Sequence, residues 1–267
     1  MRGWASVVIL MALFFARPAE AGCSRPIRVA ASPIGLLMTV ADDGTVRGPD
    51  EAFLKLVGAR IGCEFRYDVM SRARAFELMA AGETDLITSA VRTPQRDGFG
   101  DLIVLYRGRA MLISLRDRQL RIRDTAAFAA SGLSLDLVRG YDYGTAYRAL
   151  QEAVAAAGRL TENVDPAAIA RKLLAERSDA TIMSAPAFSQ DAEAVGIADR
   201  LAVTPLDDLA AFDVGIYLVR AALDPADAAL LSDGFHAAVA EGRYSALLRD
   251  AFVHPRWALD GVEFIEK

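Results

Sequence analysis

The stretch Ser71–Phe99, SRARAFELMAAGETDLITSAVRTPQRDGF, decides how this chain reads. Ser71 can cap a helix, and Gly82 can sit just past its end in the left-handed conformation. Ala75, Phe76 and Met79 give that helix an apolar stripe. Asp85–Val91 then runs apolar for the length of a strand covered on both faces. Thr93-Pro94 is a second helix start, a hydroxyl cap followed by proline at the first helical position. Thr88, Ser89 and Arg92 therefore fall at the end of a sheet strand, and Arg96 falls in the first turn of the next helix. Ligands of open α/β sheets sit outside the carboxyl ends of strands, and helix N-termini attract anions. The stretch predicts an anion-recognition edge around Arg96; the competing reading makes Arg96 a solvated surface arginine.

Working outward, the 267 residues are 53% hydrophobic, 8% aromatic and 24% charged, a globular profile long enough for two lobes. A net charge of -5 offers no basic footprint for nucleic acid. Residues 1–21 read as a cleaved signal peptide: Arg2 is a positive start, Trp4–Ala16 is apolar, and Ala19-Glu20-Ala21 is a small-x-small site. An uncleaved anchor is the alternative. Export to the periplasm follows. Cys23 raises a lipoprotein alternative, which Glu20 disfavours because a lipobox wants an aliphatic residue there. The two cysteines, Cys23 and Cys63, suggest one disulfide in an oxidising compartment, closing a loop of about 40 residues. A free or lipidated Cys23 is the other possibility. With His236 and His254 far downstream, no metal site or cofactor is expected.

Strands are predicted at Ile27–Ala31 and Phe65–Val69, with a helix after Gly48-Pro49 whose apolar face is Phe53, Leu54, Val57 and Ile61. Leu102–Tyr106 and Met111–Leu115 read as extended. A second α/β set follows: a strand at Leu133–Val138, a loop at Arg139–Gly144 and a helix at Thr145–Ala157. Next come a helix from Asp165-Pro166, a buried strand at Asp179–Met183 ending at Ser184, and strands at Leu201–Val203 and Phe212–Val219. Asp224-Pro225 opens a helix, a second amphipathic helix carries Tyr244 and Leu248, and the tail from Pro255 has no assigned structure.

The order and spacing of these parts resemble the periplasmic solute-binding proteins of amino-acid-type ABC importers, the bacterial extracellular solute-binding family 3. The residues that carry the likeness are Gly48, Gly82-Glu-Thr-Asp85, Thr93-Pro-Gln-Arg96, Phe99, Leu105-Tyr106, Gly140 and Arg177-Ser-Asp179. The resemblance implies an α/β, two-lobed type II periplasmic-binding-protein fold, its lobes joined by two crossover segments. Residues 22–112 with 211–267 would form lobe one, and 113–210 lobe two. The lobes would close on ligand about a hinge near Met111–Leu115 and Ala210–Asp213.

By the same resemblance, Arg96 falls on the arginine that clamps a ligand carboxylate, a task suited to a guanidinium fork. Ser89, with Thr88 beside it, falls on a hydroxyl or backbone ligand position. Gly140, Tyr141 and Asp142 fall in the second-lobe loop that faces the same carboxylate. Ser184 stands where relatives place the acid that binds an amine, so a standard α-amino acid is disfavoured. Arg72 stands near a position where relatives place an aromatic ring, and Gly35 or Ile34 stands near the other. Tyr141 or Tyr143 could replace those rings. Arg72, Arg74, Arg92 and Arg96 together point to a ligand more anionic than a neutral amino acid, unless only Arg96 reaches the cleft.

No catalytic set emerges. The expected function is binding of a small carboxylate-bearing or anionic solute by a monomer that delivers it to a membrane permease. An accessory role for a membrane sensor or dehydrogenase is one alternative. A cleft dehydratase using Asp142 as proton-transfer acid is the other.

Overall fold

Proline and glycine set most element boundaries in the computed structural model, which describes residues 22–265; the predicted leader lies outside them. The chain opens with β1 (Ile27–Ala31), a small ribbon of β2 (Thr39–Val40) and β3 (Val46–Arg47), and α1 (Pro49–Ile61). Then come β4 (Phe65–Val69), α2 (Arg72–Ala81), β5 (Leu86–Val91), the single turn α3 (Pro94–Asp97) and β6 (Gly100–Gly108). Gly62 and Gly82 end α1 and α2 in the left-handed conformation, at φ 74° and 69°.

The second set runs β7 (Met111–Leu115), α4 (Thr125–Ala130), β8 (Leu135–Val138), α5 (Thr145–Ala156), β9 (Leu160–Asn163), α6 (Pro166–Leu174), β10 (Ala180–Met183), α7 (Ala185–Ala194) and β11 (Leu201–Pro205). The chain then returns through β12 (Phe212–Val219), α8 (Pro225–Ala240), α9 (Arg243–Ala251) and β13 (Glu263–Phe264).

Pairing sorts the strands into a six-stranded sheet, β13-β6-β12-β5-β1-β4, and a five-stranded sheet, β11-β7-β10-β8-β9. Helices pack on both, giving two α/β lobes. The chain crosses between them at residues 109–110 and 206–211, so the lobes are joined by two segments, as expected. β1 lies parallel to β4 with Ile27 opposite Phe65. That register brings the residues just upstream together, and Cys23 and Cys63 form a disulfide with Cα atoms 4.9 Å apart.

Several elements were not read from the sequence, among them the β2–β3 ribbon, β9, α4 and α7. β9 is an edge strand whose Thr161 and Glu162 are exposed, so it lacks an apolar pattern. α4 is only six residues, and α7 starts directly after β10 with Pro186 in its first turn. The tail also has structure. Trp257 Nε1 donates a hydrogen bond to the Ala198 carbonyl in the second lobe (3.1 Å), and β13 pairs with β6 in the first. The tail therefore spans both lobes beside the crossovers. Among the described residues no helix is long and apolar enough to cross a membrane.

Candidate functional site

The Ser71 hydroxyl accepts a hydrogen bond from the Arg74 amide and starts α2 at Arg72. Arg72 and Phe76 are four residues apart and so share a helix face. The Thr93 hydroxyl accepts from the Arg96 amide at 3.2 Å, which fixes α3 with Arg96 in its only turn. α3 is too short to carry a useful dipole; the charge at this edge is the Arg96 side chain.

Between these helices, β5 carries a β-bulge. Gly215 of β12 pairs with Ala90 and Tyr217 with Ile87, so Thr88 and Ser89 together oppose Ile216 alone. Ser89 takes φ 46°, a left-handed conformation that costs a non-glycine residue energy and that concentrates at functional sites. The bulge turns its carbonyls toward α2. Arg72 Nη1 donates to the Thr88 carbonyl at 2.9 Å, and Nη2 to the Ser89 carbonyl at 2.6 Å. The Ser89 hydroxyl donates to Asp50 (2.8 Å), whose other carboxylate oxygen accepts from the Tyr244 hydroxyl at 2.6 Å. Burial pushes the Asp50 carboxyl above its ordinary range, against those two bonds.

Arg96 Nη1 donates to the Val91 carbonyl at 2.7 Å, and Nη2 reaches the second lobe, donating to the Gly140 carbonyl at 3.1 Å. Its guanidinium lies 3.7 Å from the Phe76 ring centroid, and that of Arg72 lies 4.9 Å from the same ring. One aromatic face thus serves two cations. Burial, then the neighbouring Arg72, pulls Arg96 down to about 10. Among the described residues, neither arginine forms an ion pair. Gly140, at φ 87°, lets the second-lobe loop approach: a Cβ there would lie 3.2 Å from the backbone of Ala73.

These contacts enclose a cavity of about 20 Å³, on the scale of one water molecule, between the lobes. Arg72, Ser89, Arg96, Gly140, Tyr141, Asp142 and Ser184 all line it. Thr88 does not, and contributes its carbonyl to Arg72 instead. Asp142 accepts from the Gly144 amide and is ion-paired with Arg148. The Ser184 amide donates to the Tyr143 hydroxyl at 3.3 Å. Of the predicted arginine group, Arg74 pairs with Glu77 and Arg92 with Asp213, both exposed and away from the cavity. Ile34 lines the cavity, whereas Gly35 abuts the backbone of α7.

Phe76 and Asp50 are site residues that sequence reasoning passed over. The spacing from Arg72 to Phe76 was the available signal for the first. For Asp50 there was none, because Ser89 and Tyr244 come to it from 39 and 194 residues away. Two larger grooves adjoin the cavity. One, of about 490 Å³, shares Arg72 and Tyr141 with it, and another, of about 530 Å³, shares Phe76, Arg96 and Asp142.

No protein-family model matches the chain, and no curated sequence does. Solved structures do. A histidine kinase sensor domain with similarity to periplasmic binding proteins superposes with TM-score 0.73 at 16% identity, covering 92% of this chain and 100% of that one. An amino acid ABC transporter substrate-binding protein from Streptococcus pneumoniae, bound to L-arginine, gives 0.66 at 16% identity over 85% and 94%. A putative L-cystine ABC transporter from Listeria monocytogenes gives 0.68 at 17% identity over 86% and 97%. At these identities the likeness establishes the two-lobed binding-protein fold.

Proposed function

We propose that this chain is an exported binding protein that closes its two lobes on a small carboxylate-bearing or otherwise anionic solute. One observation carries the reading. Two guanidiniums, Arg72 buried and Arg96 half-buried, meet over a single ring in the interlobe cavity with no carboxylate paired to either. Withdrawing a cation from water is costly unless an anion meets it. The nearest acids are committed elsewhere, Asp50 to Ser89 and Tyr244, Asp142 to Arg148. An anionic guest supplies what the protein leaves out, and Arg96 can exchange its Val91 and Gly140 carbonyls for a bidentate carboxylate as the lobes open and reclose.

Lobes one and two, as 22–112 with 211–267 and 113–210, then move as units about the two crossovers. In this reading the carrier is a monomer that delivers its solute to a membrane permease, and the likeness to ABC transporter substrate-binding proteins supports the transport part of it. The kinase sensor domain, matched along its whole length, supports a second reading in which the same closure is reported to a membrane sensor. Binding rather than turnover fits Asp142, whose carboxylate is held by Arg148 and the Gly144 amide.

A thermal-shift screen of organic acids tests this, since a ligand that binds only the native state raises its stability by mass action. The expected result is a stabilising acid whose effect vanishes in Arg96→Ala. Full affinity in that variant would remove Arg96 from the site.

A further inference from the structure

We propose that the groove beside Arg72 and Tyr141 is the second half of the ligand site, and that it takes the cationic end of an elongated zwitterion, an alkylammonium separated from the carboxylate by a short apolar chain, with Asp191 as counter-ion. This deepens the preceding reading and rests on it for the carboxylate end.

The cavity around Arg96 holds no acid free to take an ammonium. Asp142 is engaged by Arg148, and Ser184 is uncharged. A cationic group must therefore lie farther out. The adjoining groove runs between the lobes. Met38, Val40 and Val69 line it from the first lobe, Val164 and Pro166 from the second. Val69 and Val164 are 46% and 69% exposed, large apolar side chains left uncovered on the two walls. Such walls suit methylenes.

Asp191, on α7, also lines this groove. It is half-buried, and among the described residues its carboxylate has no hydrogen bond or ion pair. The charges around it are Asp165, which caps α6 through the Ala168 amide and repels it, and Arg171, which attracts it without an ion pair. Burial, then Asp165, pushes its carboxyl up to about 6. An unpaired carboxyl in a groove between lobes lacks its partner in the same way that Arg72 and Arg96 do, with opposite sign.

Tyr141 joins the two halves. It lines both the cavity and the groove, and its hydroxyl is buried with no hydrogen-bond partner. A chain running from Arg96 toward Asp191 passes that hydroxyl.

Calorimetric titration of the full chain with ω-amino carboxylates such as aminohexanoate, against the matching plain acids such as hexanoate, tests the assignment at neutral pH. The expected result is at least roughly tenfold tighter binding of the ω-amino acid. Asp191→Asn should bring that ratio close to one with the plain acid unaffected. Removing an unpaired, half-buried charge should leave the ligand-free melting temperature equal or higher. An ω-amino acid that binds no better than its plain counterpart, or a preference that survives Asp191→Asn, overturns the proposal while leaving the carboxylate site standing. Failure of acids of both kinds to bind removes the two readings together.

Discussion

At the edge of the first sheet where β1, β4 and β5 begin, Asp85 is fully buried and fully answered. It accepts from both Arg25 Nη groups, from the Arg28 amide at 2.7 Å and from the Arg28 guanidinium at 3.1 Å. The Cys23–Cys63 disulfide closes the same edge. At the opposite edge, where the strands end, Asp50 is as deeply buried but accepts from the neutral hydroxyls of Ser89 and Tyr244 in place of guanidiniums, and Arg72 and Arg96 donate to backbone carbonyls. Burial acts on both carboxyls in the same direction. The Arg25 and Arg28 bonds overcome it at Asp85 and hold that group below its ordinary range, whereas Asp50 stays above it. One end of the lobe is cross-linked and has its buried acid ion-paired, and the other holds two guanidiniums with no acid paired to either among the described residues. The first arrangement holds a fold, and the second accepts a guest.

This contrast predicts that damage separates by edge. The largest effect is expected from replacing both Cys23 and Cys63 by serine. Opening a loop of 40 residues should cost about 3–4 kcal/mol in denaturant unfolding, with ligand affinity retained. Loss of affinity in that variant would break the division.

Asp85→Asn should come next, at about 2 kcal/mol, because it removes charged hydrogen bonds while Arg25 and Arg28 keep access to water. Its pH signature follows from the lowered carboxyl. Stability from Asp85 is present above the unfolded-state value near 4 and is lost as pH falls through the folded value. Thermal melts of wild type should therefore drop in acid more steeply than those of the variant.

Asp50→Asn should be the smallest, under about 1 kcal/mol near neutrality. The sign is reversed. A raised carboxyl contributes stability in acid that is lost as pH rises through the folded value, so the variant should flatten that part of the curve. An Asp50 variant as damaging as Asp85→Asn would mean that both edges are built for stability alone.

The elements of this fold were legible where local chemistry decides them. Ser71, Gly82, Thr93-Pro94, Asp165-Pro166 and Asp224-Pro225 each mark a boundary by a cap or a ring, and each boundary stands. Arg96 was legible for the same reason, since a strand end and a helix start put it at the cleft. The disulfide depended on parallel pairing of β1 and β4, and that pairing is present.

What escaped depends on contacts between distant segments. A bulge with a left-handed residue is announced by glycine, and here the residue is Ser89. Among four arginines within 25 residues Arg96 stood out by its place, but which of the other three joins it was open, and the packed structure brings Arg72 to the cavity while Arg74 and Arg92 pair with Glu77 and Asp213 outside it. Asp191 carried no motif. Its interest arises from the absence of a partner, which only the packed structure displays.

The tail that bridges the lobes beside the crossovers has a practical consequence. Its Trp257 is the sole indole among the described residues, and its ring nitrogen is tied to the far lobe through Ala198. A swing of one lobe that parts this bond moves the fluorophore toward water and shifts its emission to longer wavelength. The molecule carries its own optical gauge of opening, readable without a label.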